Sequence, residues 1–285
     1  NVSELSVAKR DESMRLNEED IPDLYEVVWK DGNKFSAEGG VIKALLDVRD
    51  GNDGILGVDG KTSSPAFKGI PYYIRQLNEF VRTFAMAFNE GIIAGEKLLG
   101  HADGFGLDPD GDGPLTSATG IRFFTIMGET GENLSTADFI ALGKDFDEIY
   151  SNMTAKNFCI SKDILEDYNA IAASDAEGET GNIRVLNSLI AMRHNVRMFT
   201  EGAPEDFMKS LVTTLGVDSQ QAVRYTGNME AIVDQIVSQR SSVSGVSIDE
   251  EMANMVRYQH IYNASAKMIQ TFSELYDVLI NRLGV

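Results

Sequence analysis

The chain has 285 residues, 43% of them apolar, with a formal net charge of −19 and a single cysteine, Cys159. The length allows one large domain or two average ones with a real core. The acidity argues against nucleic acid or an anionic membrane surface as partner, because phosphate would be repelled rather than neutralised, and one cysteine permits no internal disulfide.

The first 40 residues read as β-like. Leu24–Trp29 alternates like a strand, and Lys30-Asp31-Gly32-Asn33-Lys34 is a turn leading to a second short strand around Phe35. The start, Asn1-Val2-Ser3-Glu4, has neither an initiator Met nor the build of a signal peptide. The expectation is a fragment or processed form. Gly39-Gly40 precedes an apolar helix, Val41–Val48, and residues 50–69, rich in Gly, Ser, Thr and Asp, read as an exposed loop. Pro71 marks a helix start. Ile70, Tyr73, Ile74, Leu77, Phe80, Val81, Phe84 and Phe88 follow at helical spacing and predict a long amphipathic helix ending near Gly91–Gly95.

Between residues 100 and 182 glycine and aspartate rise and periodicity falls, with strand candidates at Ile121–Met127 and Phe158–Ser161. From Ile183 onward the pattern is helical. One helix is expected over Ile183–Phe199. A second runs from Pro204 to a stop at Gly216, and a third is capped by Asp218 and Gln221, with Ala222, Tyr225, Met229, Ile232 and Ile236 as its seam. Ser247 and Glu250 form a further capping box, with Asp249, Glu250 and Glu251 at the positive end of the dipole. Behind it runs a heptad helix to the end of the chain. Its first column is Ile248, Met255, Tyr262, Ile269, Tyr276 and Leu283, and its second begins at Met252. Nothing later in the chain can cover this seam. Its partner is therefore an earlier segment or another molecule.

The chemical motifs are weak. Asp108, Asp110 and Asp112 open like a calcium loop, but its twelfth position is Thr119, and an Asp/Gly-rich turn is the plainer reading. Gly60-Lys61-Thr62 resembles the end of a P-loop without the required earlier glycine. His101, His194 and His260 are isolated and read as surface or packing residues, and Cys159 as a buried or half-buried thiol. No Gly-x-Ser-x-Gly is present. We expect no enzyme, no cofactor and no catalytic residue. The alternative is an adhesin or binding module carried by residues 100–182.

The expected class is α+β, mainly α. A long-helix bundle core carries an inserted mixed or β-rich domain and a C-terminal heptad helix. The segments are 1–40 (β-like), 41–99 (first helical core part), 100–182 (variable), 183–246 (second helical core part) and 247–285 (assembly helix).

Some of these residues resemble a known family. Arg240-Ser241-Ser242-Val243-Ser244-Gly245-Val246-Ser247-Ile248-Asp249-Glu250-Glu251 is similar to the Q-R-x-S-V-S-G-V-S-x-D-E-E block of flagellar hook-associated protein 1, the hook–filament junction family. Gly39–Asp50 resembles its G-G-x-x-x-x-L-L-D-x-R-D element. Ile70-Pro71-Tyr72-Tyr73 with Gln76-Leu77-Asn78 resembles its I-P-x-Y-x-x-Q-L-N. Residues 51–69 are longer than the family's spacer, and 100–182 match weakly. The resemblance implies a structural axial protein of the bacterial flagellum, exported unfolded through the type III apparatus and located outside the cell. Its implied partners are copies of itself, the hook protein, hook-associated protein 3 and a cytoplasmic export chaperone on the C-terminal helix. It also implies that the helix covering the terminal seam lies before residue 1.

Overall fold

The computed structural model describes residues 4–11, 16, 23–37, 39–52, 68–106, 120–179, 181–245 and 247–282. The chain divides into two compact units, Asn1–Leu215 and Gly216–Val285. As expected, the described structure is mainly helical, with only small two-stranded sheets.

The first unit is built around α2 (Ile70–Glu90). Pro71 suits the first turn, where its missing N–H has no helical partner to lose. The helix ends at Gly91, in the left-handed region at φ 66°, and the Gly91 N–H closes the last turn on Ala87 O at 2.8 Å. A Cβ on Gly91 would lie 2.2 Å from the Leu98 carbonyl oxygen, because the hairpin of β3 (Ile92–Ile93) and β4 (Glu96–Lys97) folds back on the helix end. Only glycine meets both demands.

Two apolar clusters use different faces of α2. Phe80, Phe84 and Phe88 pack against Ile93, Val185, Leu189, Met192, Met198, Phe199 and Phe207. Val81, Ala85 and Met86 pack with Ile126, Phe139, Ile149, Tyr150 and Met153. Phe80 stacks on Phe199 with centroids 5.2 Å apart, which ties α2 to the approach to α7 (Pro204–Ser244). Each buried aromatic contributes roughly 1.5–3 kcal/mol of transfer free energy. The second cluster is roofed by β5 (Phe124–Ile126) and β6 (Phe158–Ile160), an antiparallel pair with Thr125 opposite Cys159. Both strands lie inside the segments read from the sequence.

Between and after these strands come three short helices that periodicity did not reveal: α3 (Thr136–Ile140), α4 (Phe146–Ser151) and α5 (Lys162–Glu166). Their caps are Ser135, Asp145 and Ser161, each accepting a backbone N–H from the first turn. The region is mixed rather than strand-dominated.

Three local expectations are corrected. β2 (Tyr25–Trp29) pairs with β1 (Leu5–Lys9), not with a strand at Phe35; Lys34 makes a single bridge to Val28. Asp31 Oδ1 accepts the Asn33 N–H at 3.0 Å, which tightens the turn. Secondly, α6 is Arg184–Met192 and stops well short of Phe199. There Asn195 Oδ1 accepts the Arg197 N–H instead of a helical bond forming. Thirdly, Gly216 does not stop a helix and Asp218 does not cap one, since α7 runs unbroken through both. An interior glycine costs only about 1 kcal/mol relative to alanine, and 41 helical residues absorb it. The expected helix at Val41–Val48 is α1 (Gly40–Asp50), two residues longer at its carboxyl end, where it finishes on the buried Asp50.

Candidate assembly interface

In the second unit, α8 (Ile248–Asp277) follows α7, and a π-helical turn, Val278–Arg282, extends it. The junction is shaped by two residues. Gly245 donates its N–H to Ser241 O at 2.7 Å, and a Cβ there would sit 2.1 Å from that oxygen. Ser247 Oγ then accepts the Glu250 N–H and caps α8. Asp249, Glu250 and Glu251 occupy the first turn, where the helix dipole favours negative charge. At 1.5 Å per residue α8 is about 45 Å long and α7 about 60 Å.

The heptad residues are where the sequence puts them and fully available. Ile248 is 76% exposed, Tyr262 74% and Ile269 70%, and Met252, Met255 and Tyr276 are exposed as well. Leu283 lies outside the described residues. No described residue of α8 is buried. A second line, Tyr258, Ile261, Met268, Phe272, Leu275 and Leu279, is exposed too, though somewhat less. Its three-and-four spacing is present in the sequence but lies beside the stronger first column. α7 repeats the pattern beyond Leu215, with Met229, Ile232 and Ile236 exposed. Such apolar surface has no chemistry to perform. It can only be covered.

The polar groups of the first unit are engaged in holding the fold. Arg10 and Asp50, both with almost wholly buried side chains, pair at 2.9 Å, and Arg10 also reaches Glu26. Burial alone would raise the Asp50 pKa, but hydrogen bonds and charge from Arg49 and Arg10 outweigh it and hold the carboxyl below its ordinary value. At the end of α2, Arg122 grips Glu90 through Nε at 2.8 Å and Nη2 at 3.1 Å, and Tyr150 donates to the same carboxylate. Burial first, and the Glu90 charge second, push the Tyr150 pKa well above its usual value.

His101 is a packing residue, as expected, but an engaged one. Its Nε2 accepts the Ala172 N–H at 2.9 Å, so Nδ1 is the donor to Ile121 O at 2.8 Å. Burial lowers its pKa. The folded state therefore prefers neutral His101. Its contribution is fully present above the unfolded value near 6.5 and is lost as the pH falls through the folded value. Resistance of the first unit to urea should fall as the pH drops below about 6.5, and His101→Gln should flatten that part of the profile.

Cys159 is half-buried, its pKa raised by burial despite the Thr125 hydroxyl nearby. The calcium candidates Asp108, Asp110 and Asp112, and Gly60-Lys61-Thr62, lie outside the described residues. Among the described residues no cluster of His, Cys, Asp and Glu could hold a metal, and no helix is long and apolar enough to cross a membrane.

Comparison with known proteins bears on the same helix. Residues 237–283 match the family described as flagellar basal body rod FlgEFG protein C-terminal. The chain is 31% identical over 183 residues to flagellar hook-associated protein 1 of Bacillus subtilis, covering 54% of this chain and 36% of that protein. The protein of the same name in Escherichia coli is 31% identical over 115 residues, 39% of this chain and 20% of that one. Its Salmonella typhimurium counterpart is 37% identical over 76 residues, 27% and 14%. The chain thus spans about a third or less of the length of these relatives. No solved structure matches it. The resemblance to flagellar hook-associated protein 1 is shown by these relatives, and they support a flagellar, structural setting for the chain.

Proposed function

We propose that the chain is a structural, non-enzymatic part of a flagellar axial subunit that joins hook to filament and assembles through its terminal helix. One observation carries the reading: the Ser-Val-Ser-Gly-Val-Ser block leads into a capped helix whose described heptad residues, Ile248 to Tyr276, are exposed. A helix of this kind is completed by a second amphipathic helix laid along the seam. Ile248, Met252, Met255, Tyr262, Ile269, Tyr276 and Leu283 are its contact residues. The hook protein, hook-associated protein 3 and further copies are the axial neighbours, and an export chaperone takes the same helix before type III export to the cell exterior.

The direct test adds the purified chain, supplied in trans with an amphipathic amino-terminal segment from a relative, to isolated hooks that lack junction protein. Binding at hook ends, seen by electron microscopy, is expected. Absence of binding at any concentration sinks the reading. The alternative, a binding module in residues 100–182, has less support: the described part of that region shares its core with α2 through Ile126, Phe139 and Tyr150.

A further inference from the structure

One stripe of α2 carries Arg75, Glu79, Arg82 and Met86, at the spacing of four, three and four that keeps side chains on one helix face. Asp147 and Tyr150 of α4 stand across from it. Between the two helices lies a groove of about 360 Å³, inside the ~300–1,000 Å³ range of small-molecule sites.

The lining changes character along the stripe. Tyr150 is 1% exposed and Met86 packs into the same apolar cluster, so this end of the groove has an apolar floor. Arg82, half-buried, comes next, and its Nε–H donates to Met153 O at 2.8 Å. That bond fixes where the guanidinium sits. A guanidinium carries five N–H donors in a rigid fork, enough to keep such an anchor and grip a carboxylate as well. Glu79 and Asp147 follow, both exposed, one on each wall. Neither carboxylate has a side-chain partner among the described residues. The buried acids of the first unit behave otherwise, with Asp50 paired to Arg10 and Glu90 to Arg122.

We propose that this groove binds a short peptide with both ends free. Its ammonium lies between Glu79 and Asp147, its carboxylate on Arg82, and its last side chain, an apolar one, on Met86 and Tyr150. The charges select the ligand class. A diamine would set its second cation against Arg75 or Arg82, and a dicarboxylate its second anion against Glu79 or Asp147. A molecule with one charge of each sign meets neither penalty. The spacing then selects the length. Side chains three or four apart on a helix stand about 5–6 Å from each other at Cβ. A free amino acid carries both charges on one carbon, whereas a dipeptide moves them apart by one more residue, about 3.5 Å of chain.

The probe is glycyl-L-leucine, titrated against the full chain and followed by saturation-transfer NMR. A dissociation constant of about 1 mM or tighter is expected, in keeping with so small a ligand. Its N-acetyl and its carboxamide forms should each bind about tenfold more weakly or worse, and free leucine should also be weaker. Arg82→Gln should bind the free acid no better than the carboxamide. Glu79→Gln with Asp147→Asn should bind the free peptide no better than its N-acetyl form. Circular dichroism checks the fold. Should the loss of the Met153 anchor disturb Arg82→Gln, the other pair, both exposed, still decides. No binding of glycyl-leucine, blocked forms that bind as well as the free peptide, or variants that keep the wild-type preferences each overturn the proposal. The groove shares no residue with α8, so a failure at hook ends would overturn the functional reading alone.

Discussion

Replacing Arg122 by alanine is expected to remove about 3–5 kcal/mol of unfolding free energy from the first unit, the loss typical of breaking a buried pair by deleting one partner. Glu90 and Arg122 keep only 5% and 15% of their side-chain surface in water. The guanidinium makes two bonds to the carboxylate and a third, from Nη1, to Gly120 O at 2.8 Å. Without it, Glu90 retains the Tyr150 hydroxyl but has lost its bidentate cation. Tyr150 in turn accepts from Asn89 Nδ2 at 2.9 Å, and Asn89 bridges to both the N–H and the carbonyl of Phe124. The network therefore fastens α2 to β5, and the loss should spread to the strand pair. Tyr150→Phe alone should cost about 1–3 kcal/mol. The two changes share a partner, so their effects should not add. Replacing Glu90 and Arg122 together by Leu and Met should restore most of the stability, because the penalty is an uncompensated charge and not a lost contact. Urea midpoints at pH 7 for these variants measure each step. A small effect of Arg122→Ala, comparable to a surface change, would show that Glu90 is solvated or otherwise neutralised.

What the sequence revealed and what it hid follow from the range of the interactions involved. α2 was legible because 21 residues of one apolar face, a leading Pro71 and a closing Gly91 all agree. β5 and β6 were legible as short apolar runs, though not as partners. α8 was legible because its cap and its spacing are both local. The helices α3, α4 and α5 are too short for periodicity, at five or six residues, and only their Ser and Asp caps gave a signal. β1 was hidden because Leu5–Lys9 has nothing but its partner, Tyr25–Trp29, to define it. Gly216 misled because a glycine marks a helix end only where the chain must turn, and in the exposed stretch of α7 it need not. Glu90, Arg122 and Tyr150 are brought together across 32 and 60 positions, and no spacing rule reaches that far. The second exposed line of the terminal helix, Tyr258 to Leu279, is the opposite case, local and readable, but obscured by the stronger first column.

The terminal helix reverses the energetics of the first unit, and that reversal is the second large effect expected. Met255→Asp together with Ile269→Asp should change the unfolding free energy of the isolated chain by no more than about 0.5 kcal/mol, as for other surface positions, because both side chains lie in water, 64% and 70% exposed. Docking on hook ends should respond very differently. Each residue would sit at the centre of a helix–helix contact, where losing an apolar anchor costs about 2 kcal/mol or more, and a buried carboxylate adds its desolvation. Two such changes amount to roughly a thousandfold or greater loss of affinity. The neighbouring Lys267→Ala, on the polar face, serves as the control and should bind like the unaltered chain. Helix content by circular dichroism and hook-end occupancy by electron microscopy measure the two sides separately. If the double variant still decorates hook ends, the heptad seam is not the surface that assembles. If it unfolds the first unit instead, the seam is already covered within the chain, and the exposure of Ile248 to Tyr276 would have to be explained anew.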